Sequence, residues 1–400
     1  MPLRPPAGFI SAFFDPLRNP NAPTIGTATG GNASASVAFT APSNVGGSAI
    51  SSYSALSTPG GVVASAASSP ISVTGLSNGT AYTFAVWATN TYGPSAYSAS
   101  SGSVTPAVPD YGLFMGGSYT NVVDYVNIAS TGNATTFGQL TYTPTRTGAC
   151  ASSSRGLLAG GFDGGSDLNT ISYVTFSTGG NSSTFGALTQ ITRFLAACSN
   201  NTRGLFGGGQ SGSGTTYNTI SYSTIATTGN ATAFGVLTQA RWGLMSCSSP
   251  TRGLFSSGFD SGSSYSAIID YVTIASTGNA TSFGNMTYSA YGGAGCSNST
   301  TGLFAGGNSG AAYINTINYV TIATTGNATS FGILQSTNLG LMACSNQTRG
   351  LFGGGNSNGG TVLSNIGYVT IATTGNATTF GNLTSAREYG AGCSSANGGI

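Results

Sequence analysis

The sequence predicts an all-β protein: an extended N-terminal segment, then a β-sandwich, then a six-bladed β-propeller closed by its own C-terminal strand. Three observations carry this. A unit of about 49 residues recurs six times after residue 110. Each unit holds four short strand signals divided by Gly- and Asn-rich turns. The last unit ends in a strand that the first unit lacks, so the end of the repeat can complete its beginning.

Composition agrees with a folded, strand-rich chain. The 400 residues are 39% hydrophobic, enough for more than one core. Charged residues make up 4%, against about 25% in ordinary domains. All ten basic residues are arginine, eight residues are acidic and histidine is absent. The 19 Tyr and 20 Phe fall at regular positions, which a disordered chain would not show. A net charge of +2 from scattered arginines offers no electrostatic footprint for nucleic acid. No apolar run reaches the ~18 residues of a membrane span.

Residues 1–20 contain Phe9, Ile10, Phe13, Phe14 and Leu17 among five prolines. The prolines and Asp15 interrupt any signal-peptide core, so ordinary secretion is not expected. The segment is too short to bury its own apolar residues, and proline forbids a long helix. It reads either as a floppy leader or as an anchor docking on a partner by strand addition or groove filling.

Residues 21–107 alternate strand and turn signals, as a sandwich requires. The run Leu76-Ser-Asn-Gly79-Thr-Ala-Tyr82, the alternation through Val86 and Ala88, and the Asn90-x-x-Gly93 turn resemble the fibronectin type III domain. That resemblance makes Tyr82 the candidate for a buried corner hydroxyl and puts Phe39 where the family commonly has Trp.

Residues 108–400 carry the repeat. Glycines opening GLF-like segments stand at 112, 156, 204, 253, 302 and 350, and cysteines at 150, 198, 247, 296, 344 and 393. In each unit a segment such as GLMSCS (243–248) is strand A, GLFGGG (204–209) strand B, YVTIA strand C and ATSFG strand D. Glycines after the Leu-Phe pair are expected where backbones approach closely. The outer Phe of each SFG segment is expected to wedge between blades. A di-glycine after strand B followed by Tyr and an outer aromatic resembles Kelch-type propellers, with Phe where that family usually has Trp.

Several constellations favour bland readings. The six cysteines occupy one position per unit and read as packing residues; disulfides need Cα atoms within about 7 Å. Asn133, Asn181, Asn230, Asn279, Asn327 and Asn376 sit in STGN-type turns, where Gly and Asn are expected at positive φ. Asp163-Gly-Gly-Ser-Asp167 is a fragment of a calcium loop at most. Without histidine there is no Ser-His-Asp triad. Carboxylate-pair glycosidase chemistry has only Asp163, Asp167, Asp260 or Glu388 to draw on, and none recurs as a pair. The chain is therefore expected not to be an enzyme and to need no cofactor or metal.

Successive strands alternate direction, so A–B and C–D turns share one side and B–C and D–A segments the other. The first set is monotonous and the second varies. The variable side carries Tyr119, Asp163, Asp167, Tyr217, Tyr265 and Tyr313 on B–C loops, with Phe194, Trp242, Tyr291 and Tyr389 on D–A segments. Aromatic and amide side chains with little charge suit carbohydrate, because rings stack on sugar faces and amides bond hydroxyls. Neutral drift of unconstrained loops is the alternative.

The motifs FISAFFDPL (9–17), SASVAFTAPSNVGGSAI (34–50) and YVTIxxTGNATxFG together resemble structural proteins of marine tailed bacteriophages, cyanophages included. The resemblance spans nearly the whole chain. It implies a virion component, tail fibre-like or surface-displayed, assembled in the host cytoplasm. Residues 1–20 would hold it to other tail, baseplate or capsid proteins, and the variable side would bind a host surface glycan. A decoration protein without a ligand and a glycan depolymerase are the alternatives.

Overall fold

A computed structural model describes residues 17–107 and 109–396. Every regular element in these residues is a β-strand, and the chain divides into two compact units between Pro109 and Asp110.

The first unit has two sheets. One has the order β1 (Thr24–Gly31), β2 (Ser34–Thr40), β5 (Ile71–Thr74); the other runs β4 (Val63–Ala66), β3 (Ser52–Thr58), β6 (Thr83–Asn90), β7 (Gly93–Pro94). Strict alternation selects the buried face. Ala35, Val37 and Phe39 of β2 point inward, as do Phe84, Val86 and Ala88 of β6, and their neighbours point out. Phe39 packs on Tyr53 with ring centroids 4.6 Å apart. The hydroxyl of Tyr82 accepts the Ser77 amide at 3.0 Å. Beyond β7 the chain follows β6 with a period of three. The amides of Ser95, Ser98 and Ser101 donate to the carbonyls of Ala88, Val86 and Phe84. Their hydroxyls accept the amides of the same three residues at 3.0, 2.9 and 3.0 Å. Serines therefore satisfy an edge that an ordinary ladder would pair at every second residue.

The second unit contains six four-stranded antiparallel sheets. The third is representative: Ala196–Ser199, Arg203–Gly207, Thr219–Thr224 and Thr232–Val236, in that order. These are strands A to D of the sequence reading. The first sheet takes its A strand from the end of the chain, Ala391–Ser394, which pairs with Tyr111–Met115 so that Cys393 opposes Leu113. The six A strands contact one another in a cycle, Ala391–Ser394 touching both Gly148–Ala151 and Met342–Ser345.

Three recurring contacts tie sheet to sheet, the first two at all six junctions and the third at four. The cysteine of one A strand fills the space over the B-strand glycine of the following sheet. A Cβ on Gly204 would stand 2.6 Å from Cys150 Sγ, and Gly253, Gly302, Gly350, Gly112 and Gly156 meet Cys198, Cys247, Cys296, Cys344 and Cys393 in the same way. The two most regular marks in the sequence are thus the two halves of one contact. All six thiols are free and buried.

The second contact is made by the TGNAT segment, and it corrects an expectation. Of the six C–D turns only the one with Gly179 and Gly180 uses positive φ; the asparagines do not. Each asparagine instead accepts an amide from strand D of the preceding sheet, as Asn181 Oδ1 does from Gln139 at 2.9 Å and Asn133 Oδ1 from Asn382 at 3.0 Å. The neighbouring Gly and Ala (Ser182 in the second sheet) add amide bonds to the same strand, for example Gly278 to the Phe234 carbonyl and Ala280 to Val236. The glycine of each SFG segment lies directly under the incoming turn, where a Cβ would overlap a backbone carbonyl. The near-identical text therefore covers six outer sheet edges that would otherwise be open.

The third contact uses arginine. Arg155, Arg203, Arg252 and Arg349 each lie over a Tyr of their own sheet, 4.6 to 4.9 Å from the ring centroid, and bond a carbonyl at the end of the next sheet's C strand. Two further arginines are entirely buried. Arg241 pairs with Asp270 at 2.6 Å and Arg387 with Asp124 at 2.7 Å, and the Thr238 and Thr384 hydroxyls complete the carboxylates. Such pairs are costly to desolvate; here the carboxylate oxygens are satisfied, whereas Arg241 Nε and Arg387 Nε and Nη1 have no hydrogen-bond partner.

The expected outer wedge is present in five sheets, where Phe185, Phe234, Phe283, Phe331 and Phe380 are buried; Phe137 is half-buried. The glycines after strand B owe their recurrence to more than crowding. The pair after each B strand has positive φ in all six sheets, from Gly116 and Gly117 (60° and 88°) to Gly354 and Gly355 (66° and 92°), with Ser257 as the one non-glycine.

Candidate functional site

The B–C and D–A segments are built as short ladders. Arg241 and Trp242 pair with Asp260 and Phe259, and Phe259 bridges back to Tyr265. The same pattern links Thr145, Phe162 and Asp167; Arg193, Gln210 and Thr216; Tyr291, Asn308 and Tyr313; and Leu339, Asn356 and Val362. Loops of different text therefore share one backbone plan.

Inside these ladders runs a closed circle of six backbone hydrogen bonds. Phe194 N donates to Arg146 O, Gly243 to Phe194, Gly292 to Gly243, Gly340 to Gly292, Tyr389 to Gly340 and Arg146 to Tyr389, at 2.6 to 2.8 Å. Each member stands four residues before its cysteine. All six have left-handed backbone: 62° at Arg146, 57° at Phe194, 68° at Gly243, 71° at Gly292, 70° at Gly340 and 55° at Tyr389. A cavity of about 50 Å³ opens at this circle. It continues between the A strands, whose residues there are small (Ala149, Ala197, Ser246, Gly295, Ala343 and Gly392). At two of these positions even alanine is excluded: a Cβ on Gly392 or Gly295 would overlap the Ala343 or Ser246 carbonyl.

Half-buried aromatic rings gather around the circle. Phe194 lies 5.0 Å from Trp242 and 5.6 Å from Tyr389; Trp242 lies 4.9 Å from Tyr291 and 5.3 Å from Phe259; Phe259 meets Tyr265 edge-on at 5.0 Å. Two glycines of the circle make room: a Cβ on Gly340 would be 3.1 Å from the Tyr389 ring, and one on Gly243 3.1 Å from Tyr291. Burial raises the hydroxyl pKa of Tyr389, with Tyr291 the next cause. Burial likewise raises Tyr291, partly opposed by a hydrogen bond to Asn308. Both hydroxyls are therefore neutral at ordinary pH and serve as donor and acceptor.

Of the residues singled out by sequence, Phe194, Trp242, Tyr265, Tyr291 and Tyr389 are joined in this network. Tyr313 is near enough to influence the hydroxyls of Tyr291 and Tyr389. Tyr119 is 48% exposed and touches Phe162 at 6.3 Å. Tyr217 is half-buried, and its backbone holds the Gly209 and Arg241 segments together. Asp163 is exposed and accepts the amides of Gly165 and Ser166, which lower its pKa. Asp167 faces Arg193 at 3.4 Å. Asp260 accepts Gln239 Nε2 and the Ser264 amide, both at 2.8 Å, and no two of Asp163, Asp167, Asp260 and Glu388 share a hydrogen bond. Among the described residues no three of His, Cys, Asp or Glu converge on one point. Leu17 is 64% exposed; Phe9, Ile10, Phe13 and Phe14 lie outside the described residues.

Sequence reasoning passed over Arg146, Arg193, Phe162 and Phe259. The signal for Arg146 was present, since it stands at the same offset from cysteine as Phe194 and Tyr389. No protein-family model and no curated protein matches the chain.

Proposed function

We propose that the chain is a virion component of a tailed phage whose second unit is a six-bladed, Kelch-like propeller binding a host surface glycan on its B–C/D–A side. In this reading the first unit is a fibronectin type III-like spacer, and residues 1–20 hold the protein to a tail, baseplate or capsid partner. The motifs FISAFFDPL and YVTIxxTGNATxFG support the virion assignment. The observation that carries the binding role is a half-buried aromatic group in which Phe194 and Tyr389 line the cavity and Trp242 and Tyr291 extend the ring surface from Phe194. Partly exposed rings offer the C–H faces of a sugar a stacking surface, and the Tyr hydroxyls and Asn308 offer bonds to its hydroxyls.

The test is binding of the full chain to a panel of bacterial envelope polysaccharides, measured by isothermal titration calorimetry. Trp242→Ala is expected to weaken binding at least about tenfold, as loss of an aromatic anchor commonly does. Silence across the panel would favour a decoration role without ligand. Release of reducing ends would point to a depolymerase.

A further inference from the structure

The hydrogen-bonded circle separates into two halves. Gly243, Gly292 and Gly340 meet its left-handed backbone at no steric cost. Tyr389, Arg146 and Phe194 adopt the same conformation while carrying side chains, which bulky residues do rarely. These three are consecutive around the circle: the Arg146 amide bonds the Tyr389 carbonyl, and the Arg146 carbonyl accepts the Phe194 amide. All three line the same cavity. Since glycine suffices at the other three equivalent positions, the strain is retained for what the side chains do.

Arg146 has the least conventional surroundings of the three. Its guanidinium lies 4.9 Å from the centroid of Phe194 and 5.6 Å from that of Phe162. Its Nε is buried without a hydrogen-bond partner, as are those of Arg193, Arg241 and Arg387, so what sets it apart is the missing carboxylate. Arg193, Arg241 and Arg387 in the same unit each face an aspartate, whereas Arg146 enters no ion pair among the described residues. A cation held between aromatic faces, at a cavity mouth and without a carboxylate, is equipped to receive one.

We propose that Arg146 receives the carboxylate of an acidic saccharide at the mouth of the circle, with Phe194 and Tyr389 flanking the sugar ring. A planar guanidinium matches a carboxylate in fork geometry, and the adjoining rings match the apolar face of a pyranose. The proposal rests on the glycan-binding reading and narrows it to uronic acid-type sugars.

The test uses the full chain and three uronic acid polymers (alginate, polyglucuronate and polygalacturonate), each native and after carboxyl reduction. At least one native polymer should bind tenfold or more tightly than its reduced form. Arg146→Gln should abolish that preference. Arg146→Gly, which puts at this position the residue found at three of its equivalents, should abolish it as well while leaving the near-ultraviolet circular dichroism unchanged. Equal binding of native and reduced polymers, or an undiminished preference in both variants, would overturn the acidic-sugar proposal and leave neutral glycan binding standing. Binding to none of these polymers, with binding to neutral envelope polysaccharides, would do the same. No binding to any polysaccharide would remove both readings.

Discussion

The cysteine–glycine contact between sheets yields a quantitative prediction at Cys150 and Gly204. A Cβ on Gly204 would lie 2.6 Å from Cys150 Sγ, with no other atom closer than 3.6 Å, and its φ is not in the left-handed region. The backbone therefore accepts alanine and only the sulfur opposes it. Gly204→Ala alone overpacks a filled site, for about 1–3 kcal/mol, offset in part by the ~0.5–1 kcal/mol that alanine gains over glycine in a strand. Cys150→Ala alone empties roughly one heavy atom of core, for about 0.5–1.5 kcal/mol. In the double variant the new methyl occupies the volume the sulfur left, so the two losses should cancel with a coupling of about 1–3 kcal/mol. Urea unfolding followed through Trp242, in a Trp87→Phe background, reads all four corners of the cycle. Gly278→Ala is the control: a Cβ there meets nothing within 4 Å, and the change should stay within about 0.5 kcal/mol. Additivity within about 0.5 kcal/mol would refute the steric account of why the two repeats travel together.

Two further outcomes follow from the same contacts. Burial pushes the Cys150 and Cys296 thiols up to about 12 from 9.0, and raises the other four. The folded state thus keeps protons that the unfolded chain releases. The thiols' contribution to stability should be level well below pH 9 and fall between pH 9 and 12, by up to about 1.4 kcal/mol per pH unit for each thiol. Alkaline urea titrations measure this, and a stability independent of pH over that range would contradict it. Asn279→Ala removes the 3.2 Å bond to the Val236 amide at an outer edge. The expected loss is about 0.5–1.5 kcal/mol, with faster hydrogen exchange at Val236; unchanged exchange there would mean the TGNAT segment does not guard that edge.

Much of the architecture could be read from the residues themselves. The number of units, the four strands in each and the displaced final strand follow from local periodicity, which survives in one dimension because each unit repeats the same short-range pattern. The aromatic side was legible too, since variable text falls on alternate connections. Roles that depend on partners far along the chain were not. Asn133 meets Asn382 across 249 residues, and nothing local told the asparagine's edge-covering bond from an ordinary turn. Arg146 shares its offset from cysteine with Phe194 and Tyr389, but only the circle sets the three side by side. Periodicity specifies which way a side chain faces. Only the closing of the six sheets on one another decides what it meets there.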